Sequence, residues 1–577
     1  MLFSEILYQR PDLTQYETFF HQVTQQFSEA PNYPAAKAAL EKLNQLRAEM
    51  AKNMKLAYIR HSIDTKDSFY REENDFWDQH APIVDQIHNH FYKSLLSSSY
   101  REQLEKDFPT TLFLYAQDQL RLLDDSVIAL KQQENEGISQ YTQLIASAEL
   151  DFNGKKRTLS ELSAFFTDPN REIRKSAQKL YDSFFVAHEE EFDEIYDRLV
   201  QLRHQQAEKL GFKNYVEYGD HLMNRWSYDR SQLQDFRQFI LEKVVPINQK
   251  LYQRQADRLG LEALLHYDLP LVYPDGNPRP QSQGEALIQK AQAMYQELSD
   301  ETGDFFDLMA QQKFMDLASR SGKQSGGYCE FIDGIQMPFI FANFNGTSDD
   351  VDVLTHETGH AFQSYLSRWI KEPELVFPTS DTAEIHSMSM EFLTWPWMEK
   401  FFGTDSRKYQ FAHLSSALQF LPYGALVDHF QEEVYLHPEW TAHERKACWR
   451  ELEHSYCPER NYQASEALER GIYWYRQGHI FEVPFYYIDY TLAQVCALQF
   501  WQRQIVEIDP STWQDYLAIC RIGGSKTFLE TVQLGHLASP FDQEKMSRLL
   551  TEVDDYLSHI SETELRLDKK TLGADYS

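Results

Sequence analysis

The sequence predicts a mainly α protein, a large helical chain carrying one small β-sheet. Three observations carry this. Only 22 glycines and 21 prolines stand among 577 residues, well under the usual combined share of roughly 12%, so backbone breakers are sparse. Apolar residues recur at three- and four-residue spacing through most of the chain, the period of a helix with one buried face. A single stretch, GGYCEFIDGIQMPFIFANFNGTS at 326–348, reads as strand.

From about Tyr16 to Arg203 the helical pattern is almost unbroken. Near its end, Thr167 or Asp168 can cap a helix running to Arg203, and Pro169 suits the first turn. Ala177, Leu180, Tyr181, Phe184 and Phe185 form that helix's apolar face, while Glu189, Glu190 and Glu191 read as a solvated one. Residues 269–283 hold four prolines and a glycine and predict a long loop. Helical spacing resumes at Glu285 and fades near Arg320. Two aromatic-rich runs, 328–332 and 335–344, then flank Asp333-Gly334, a hairpin turn signal. The remainder returns to helix.

Charge and cysteine usage narrow the function. With 56 basic and 88 acidic residues the net charge is −32, which argues against binding to nucleic acid or to an anionic membrane surface. Cys329, Cys448, Cys457, Cys496 and Cys520 are sparse and form no CxxC, so neither a disulfide framework nor a cysteine zinc knuckle is expected. No apolar run reaches 18 residues, and MLFSEILYQRPDLTQYE lacks the basic and apolar regions of a secretory signal. The expected address is cytoplasmic.

Residues 356–360 read HETGH. Ser348 can cap their helix, with Asp349 and Asp350 in its first turn and Val351, Leu354, Ala361, Phe362, Tyr365 and Trp369 on its buried face. His356 and His360, four residues apart, project from one side and can bind one Zn²⁺, while Glu357 is displaced around the helix, within reach of a water but not a ligand. Chance alone would place such a motif in roughly one comparable chain in twenty. A catalytic zinc needs a third protein ligand. Thr379 and Ser380 stand where the thermolysin-like spacing wants glutamate, and Gln363 and Leu366 where the metzincin pattern wants glycine and histidine. Glu372, Glu374, Glu384 and Glu391 remain as acidic candidates. Glu372 and Glu374 flank Pro373; Glu391 can support the site from behind a ligand. His386, two residues from Glu384, points away from it on a helix.

HETGHAFQSY followed by EIHSMSME resembles the oligoendopeptidase F and thimet oligopeptidase family of zinc peptidases, and the oligoendopeptidase F branch in particular. LRHQQAEKLGFKNYVEY at 202–218, FNGTSDDVDVLTHETGHAFQ at 344–363, HIFEVPFYYIDYTLAQ at 479–494 and GGSKT at 523–527 extend the likeness over roughly residues 160–545. His386 departs from the small residue or proline expected there. The resemblance implies a zincin-type helical fold whose lobes enclose a deep channel, with the small sheet beside the active site. It divides the chain into an N-terminal helical lobe, 1–200, and a catalytic domain, 201–577. It implies one zinc per chain on His356, His360 and Glu384, with Glu357 as general base. His479, Tyr487 and Tyr490 would stabilise the transition state, with Tyr486 as the alternative to Tyr487 because YYIDY leaves the register open. The reaction implied is hydrolysis of internal bonds in short peptides by an activated water.

On physical grounds, a tyrosine hydroxyl or His479 can donate to a developing oxyanion, although an aromatic core stripe would also explain 485–490. An extended peptide can pair with a strand edge near Gly326–Tyr328 or Phe341–Asn343. The negative charge favours approach of cationic peptides, an effect that salt weakens. The rival readings are a carboxypeptidase with the same zinc motif, which needs a group to hold a free C-terminus, and a non-catalytic helical scaffold. GGSK at 523–526 lacks phosphate-loop spacing and reads as a turn; Cys329 reads as a buried small residue; His443, His454 and Cys457 match no usual metal spacing.

Overall fold

Local capping chemistry starts several helices where the apolar stripes begin. The computed structural model describes residues 1–463 and 465–565. Asp12, Asn32 and Asp67 each accept first-turn N–H groups at the starts of helices Leu13–Ser28, Tyr33–Ile63 and Ser68–Leu96. Phe20, Leu43, Phe91 and Leu112 fill the core between these helices and Thr110–Leu122.

The helix expected over 167–203 is two, Arg171–Ala187 and Glu189–Lys209, broken at His188. Asn170 caps the first by accepting the Glu172 N–H, and Asp168 lies two residues upstream, accepting the Asn170 N–H. Glu190 and Glu191 are exposed, but Glu189 pairs with Lys446 and Arg470. Residues 269–283 contain no helix or strand. The pattern from Glu285 resolves into helices Glu285–Leu298 and Asp300–Gln312, ending earlier than Arg320 because a strand follows.

Two sheets are present among the described residues. β1 (Leu150–Phe152) and β2 (Lys155–Arg157) form a hairpin turned by Asn153-Gly154, both at positive φ. The second sheet holds β3 (Met315–Ala318), β4 (Tyr328–Ile332) and β5 (Met337–Phe344) in the order β3-β5-β4, with β4–β5 antiparallel and β3–β5 parallel. The turn at Asp333–Ile335 is a single 3₁₀ turn closed by Gln336 in the left-handed region. β5 is therefore the central strand, and Phe341–Asn343 offers no free edge.

The main core runs from Phe3 to Leu565 and crosses the 200/201 boundary. Phe3 packs on Phe314 and Phe339, Tyr141 stacks on Phe481 and Phe192 on Tyr475. Two helices lie deepest. In Ser380–Leu393 every residue but Ser380 and Glu391 is buried, and in Tyr487–Trp501 every residue but Tyr490. No helix among the described residues is long and apolar enough to cross a membrane.

Candidate active site

Helix Asp349–Ser367 follows β5 directly and carries HETGH. Its entry is fixed by Asp350, whose carboxylate accepts the Asn345 and Gly346 N–H groups at 2.9 Å each, tying the strand's end to the first turn. Ser348 makes no side-chain cap. Val351, Leu354, Ala361 and Phe362 are buried and Tyr365 half-buried, but Trp369 lies beyond the helix and is 62% exposed, its indole donating to the Arg521 carbonyl.

Gly359 explains how the second helix comes close. A Cβ there would lie 2.6 Å from Ser387 Cα and 2.7 Å from the His386 carbonyl oxygen. The absent side chain lets helix Ser380–Leu393 pass against HETGH and bring Glu384 to it. Glu384 Oε2 lies 3.2 Å from His356 Nε2 and 3.3 Å from His360 Nε2. Among the described residues, only these three gather histidine, cysteine or carboxylate donor atoms within 4.8 Å of one another. Burial disfavours charge on Glu384, but His360 and His356 outweigh it and hold the carboxyl well below its usual range.

Glu391, two turns further on, accepts from His356 Nδ1 at 2.7 Å and meets His413 Nε2 at 2.8 Å; Trp395 donates to His413 Nδ1. That last bond makes Nδ1 an acceptor, so Nε2 carries the proton given to Glu391. Burial opposes charge on His356, yet Glu384 and Glu391 together raise its pKa well above that of free imidazole. Two imidazole nitrogens and one carboxylate oxygen, with one imidazole oriented from behind by a carboxylate, are a donor set suited to a zinc-sized cation.

The remaining acidic candidates are engaged elsewhere: Glu372 accepts from Asn44 and Glu374 from Arg47. His386 is fully buried near Tyr516, whose hydroxyl donates to the His386 carbonyl, and the helix runs regularly through it. His443, His454 and Cys457 do not assemble into a donor cluster.

His356, Glu357, His360 and Glu384 line a cleft of about 370 Å³ together with His479, Tyr486 and Tyr490, a volume in the range of ligand pockets. Burial pushes the Glu357 carboxyl up against the lowering effect of His356 and His360. Gly326 and Gly327, just ahead of the edge strand β4, also line the cleft; a Cβ on Gly327 would stand 3.2 Å from Glu357 Oε1. Cys329 also lines the cleft and is half-buried rather than buried; desolvation and nearby Glu357 hold its thiol well above the ordinary range, unsuited to a nucleophile.

The tyrosines separate by backbone geometry. Phe485 adopts φ 68°, a strained region for a non-glycine residue. It is held there by Arg225 on its carbonyl, Gln431 on its N–H, and the space left by Gly219. The chain thus enters helix Tyr487–Trp501 with Tyr486 turned to Glu384, donating to Oε1 at 2.5 Å. Tyr487 packs instead on Phe420 and Tyr423 and does not line the cleft. Tyr490 opens onto it and meets His479 Nε2 at 3.1 Å.

A hydrogen-bond relay sets the polarity of that pair. The Tyr423 hydroxyl donates to Gln477 Oε1, so the Gln477 amide group donates to His479 Nδ1. His479 must then carry its proton on Nε2 and give it to the Tyr490 oxygen, which leaves the Tyr490 hydroxyl hydrogen free to point into the cleft. Burial lowers the His479 pKa to about 4, so the ring is neutral at pH 7 and holds this tautomer. The family resemblance points to His479 and Tyr490, but Gln477, Tyr423 and His413 carry no local signal.

Comparison with known proteins supplies the family. The model of peptidase family M3 matches residues 164–548, and that of the peptidase M3 N-terminal domain matches residues 3–123. A crystal structure of a protein provisionally named oligoendopeptidase F is 46% identical with a TM-score of 0.97, the match covering 98% of this chain and 100% of that one. PZ peptidase A, solved with an inhibitor, is 46% identical with a TM-score of 0.95, covering 97% and 100%. A protein from Bacillus anthracis str. Ames, also provisionally named oligoendopeptidase F, is 43% identical with a TM-score of 0.92, covering 98% and 99%. The search of curated proteins gives no match. By family match and by near-complete structural likeness, the chain belongs to peptidase family M3 and is a metallopeptidase.

Proposed function

We propose that this peptidase is a zinc-dependent endopeptidase that hydrolyses internal bonds of short oligopeptides. The observation that carries the reading is the convergence of His356, His360, Glu384, Glu357 and Tyr490 on one cleft. His356 Nε2, His360 Nε2 and Glu384 would hold one zinc per chain, which when bound supplies Lewis acidity toward water and the scissile carbonyl. Glu357, the HETGH residue not among the ligands, takes the proton of the attacking water and returns it to the leaving amine. Tyr490 donates its free hydroxyl hydrogen to the developing oxyanion, polarised by the neutral His479 behind it. Tyr486 braces Glu384, and the Gly326–Gly327 edge offers backbone groups to an extended peptide.

Arg476 is the sole lysine or arginine among the residues lining the cleft, and it is engaged by Asp182 at 3.0 Å. The lining therefore lacks a free cation to capture a C-terminal carboxylate, which favours endopeptidase over carboxypeptidase action. The test is mass spectrometry of peptides with free and amidated C-termini, alongside zinc analysis of the protein. Internal cuts in amidated peptides, lost with a chelator and reduced about 10²–10⁴-fold in Glu357→Gln, are expected. Cuts confined to free C-termini would overturn the reading.

A further inference from the structure

One acidic side chain in the cleft has no part in the reaction described so far. Glu482 closes the short helix Gly478–Glu482, which begins beside His479. A Cβ on Gly478 would lie 2.5 Å from Glu482 Oε1 and 3.7 Å from the Tyr141 ring. Glycine therefore makes room for the carboxylate, which folds back over the helix toward Tyr141. The ring of Tyr58, 36% exposed, lines the same cleft, and the Glu482 charge is near enough to Tyr58 and Tyr141 to raise both hydroxyl pKa values.

No hydrogen bond or ion pair among the described residues engages the Glu482 carboxylate, whereas Glu357 and Glu384 stand beside the histidines and Arg476 is bound to Asp182. Glu482 is half-buried, and a half-buried carboxylate kept for structure alone is normally paired, because an unpaired one bears its partial desolvation without return. An unpaired carboxylate beside tyrosine rings, in a cleft with no free cation, has the chemistry that takes up an ammonium or guanidinium group.

Resting on the peptidase reading of this cleft, we infer that Glu482, with Tyr58 and Tyr141 beside it, is a specificity subsite for a cationic group of the peptide, either a basic side chain or the free N-terminal amine. The desolvation of its carboxyl, pushed up to about 7 by burial alone, is the cost that a bound cation would relieve.

The test uses one cleavable peptide in which each position in turn carries lysine, norleucine or glutamate, with the N-terminus free or acetylated. Values of kcat/KM are taken for the wild-type enzyme, Glu482→Gln and Glu482→Lys in 0.5 M salt (a strength of order 0.5 M that screens the long-range field). In the wild type, lysine should exceed norleucine at one position by about 10-fold or more. If the N-terminal amine is the ligand, the same margin should separate free from acetylated peptides. The preference should fall to near parity in Glu482→Gln and turn toward glutamate in Glu482→Lys. Each is read as a ratio between peptides on one enzyme, so a change in absolute rate does not obscure it. An equal lysine-to-norleucine ratio in wild type and Glu482→Gln, with the acetylation effect also unchanged, would overturn the subsite and leave the endopeptidase standing. Failure of the wild type to cut any peptide would overturn both.

Discussion

At the scale of single residues, the site is built from groups whose partners fix their roles. Tyr490 is the donor at the end of the Tyr423–Gln477–His479 relay. Tyr490→Phe should lower kcat by roughly 10²–10³-fold with little change in KM, the usual cost of one oxyanion donor. Tyr487→Phe should stay within a few-fold, since Tyr487 faces Phe420 and Tyr423; equal losses in steady-state kinetics would refute the division. The residue spacing alone cannot separate Tyr486 from Tyr487, because the choice is made by the positive φ of Phe485 and by Arg225, 260 residues away in sequence. The motif HETGH was legible because helical spacing is local, whereas Glu384, on a second helix, was singled out from the other acidic candidates only by the family resemblance. Glu391→Gln should weaken zinc binding about 10–100-fold, measured by competition with a chelator, as His356 loses its charged partner.

Glu482 also couples the site to pH. Tyr58, Tyr141, Arg476, His479, Glu357 and Glu384 line the same cleft, and burial alone raises the Glu482 carboxyl to about 7. The fold therefore holds this proton more tightly than the unfolded chain does. Its stabilising contribution is full below the ordinary carboxylate range and is lost as pH rises toward 7. Glu482→Gln should accordingly raise Tm relative to wild type at pH 8, by on the order of 1–3 °C, with little difference at pH 4. A variant less stable than wild type at pH 8 in thermal unfolding would contradict the unpaired state of this carboxylate.

At the scale of elements, the decisive feature is the crossing of Asp349–Ser367 and Ser380–Leu393 at Gly359. Both contact atoms on the second helix are backbone, so neither can rotate away from an added methyl group. Gly359→Ala should cost about 1–3 kcal/mol or more by overpacking and, by displacing Glu384, lower zinc content as well; denaturant unfolding together with metal analysis reads both. A variant with native stability and full zinc would show that the helices can part without disturbing the donors. The sheet was partly legible at this scale. β4 and β5 announce themselves by aromatic runs on either side of Asp333-Gly334. β3 does not, because its four residues are only half-buried or exposed and it pairs in parallel with a distant strand. The Asn153-Gly154 hairpin carries a standard turn signal, but its strands of three residues are too short for alternation to show against the helical pattern around them.

Across the whole molecule, one buried charge network ties the site to the scaffold. Arg225 bonds Asp220, Asp489 and the Phe485 carbonyl. Arg230 joins Asp220 to Asp428, and Arg237 joins Asp428 to Glu432. Helices Tyr215–Leu222, Arg230–Phe239, Ser406–Leu436 and Tyr487–Trp501 thus share one set of ion pairs. None of this pairing is visible in sequence, where the partners stand up to 264 residues apart. Asp428 is fully buried. Burial alone would raise its carboxyl, but Arg230 and Arg237, helped by Arg225, outweigh it and hold the group below its usual range. A depressed carboxyl stabilises the fold above the unfolded pKa of about 4, and that contribution drains away as pH falls through the folded value. Asp428→Asn should therefore cost about 3–5 kcal/mol at pH 7, the loss incurred when a buried pair is broken from one side. The deficit should shrink as pH falls below about 4, where the carboxyl in the unfolded chain begins to take a proton that the folded carboxylate still refuses. Urea unfolding at pH 7 and pH 3.5 measures it, and a deficit that does not change with pH would mean that Asp428 contributes through packing rather than charge.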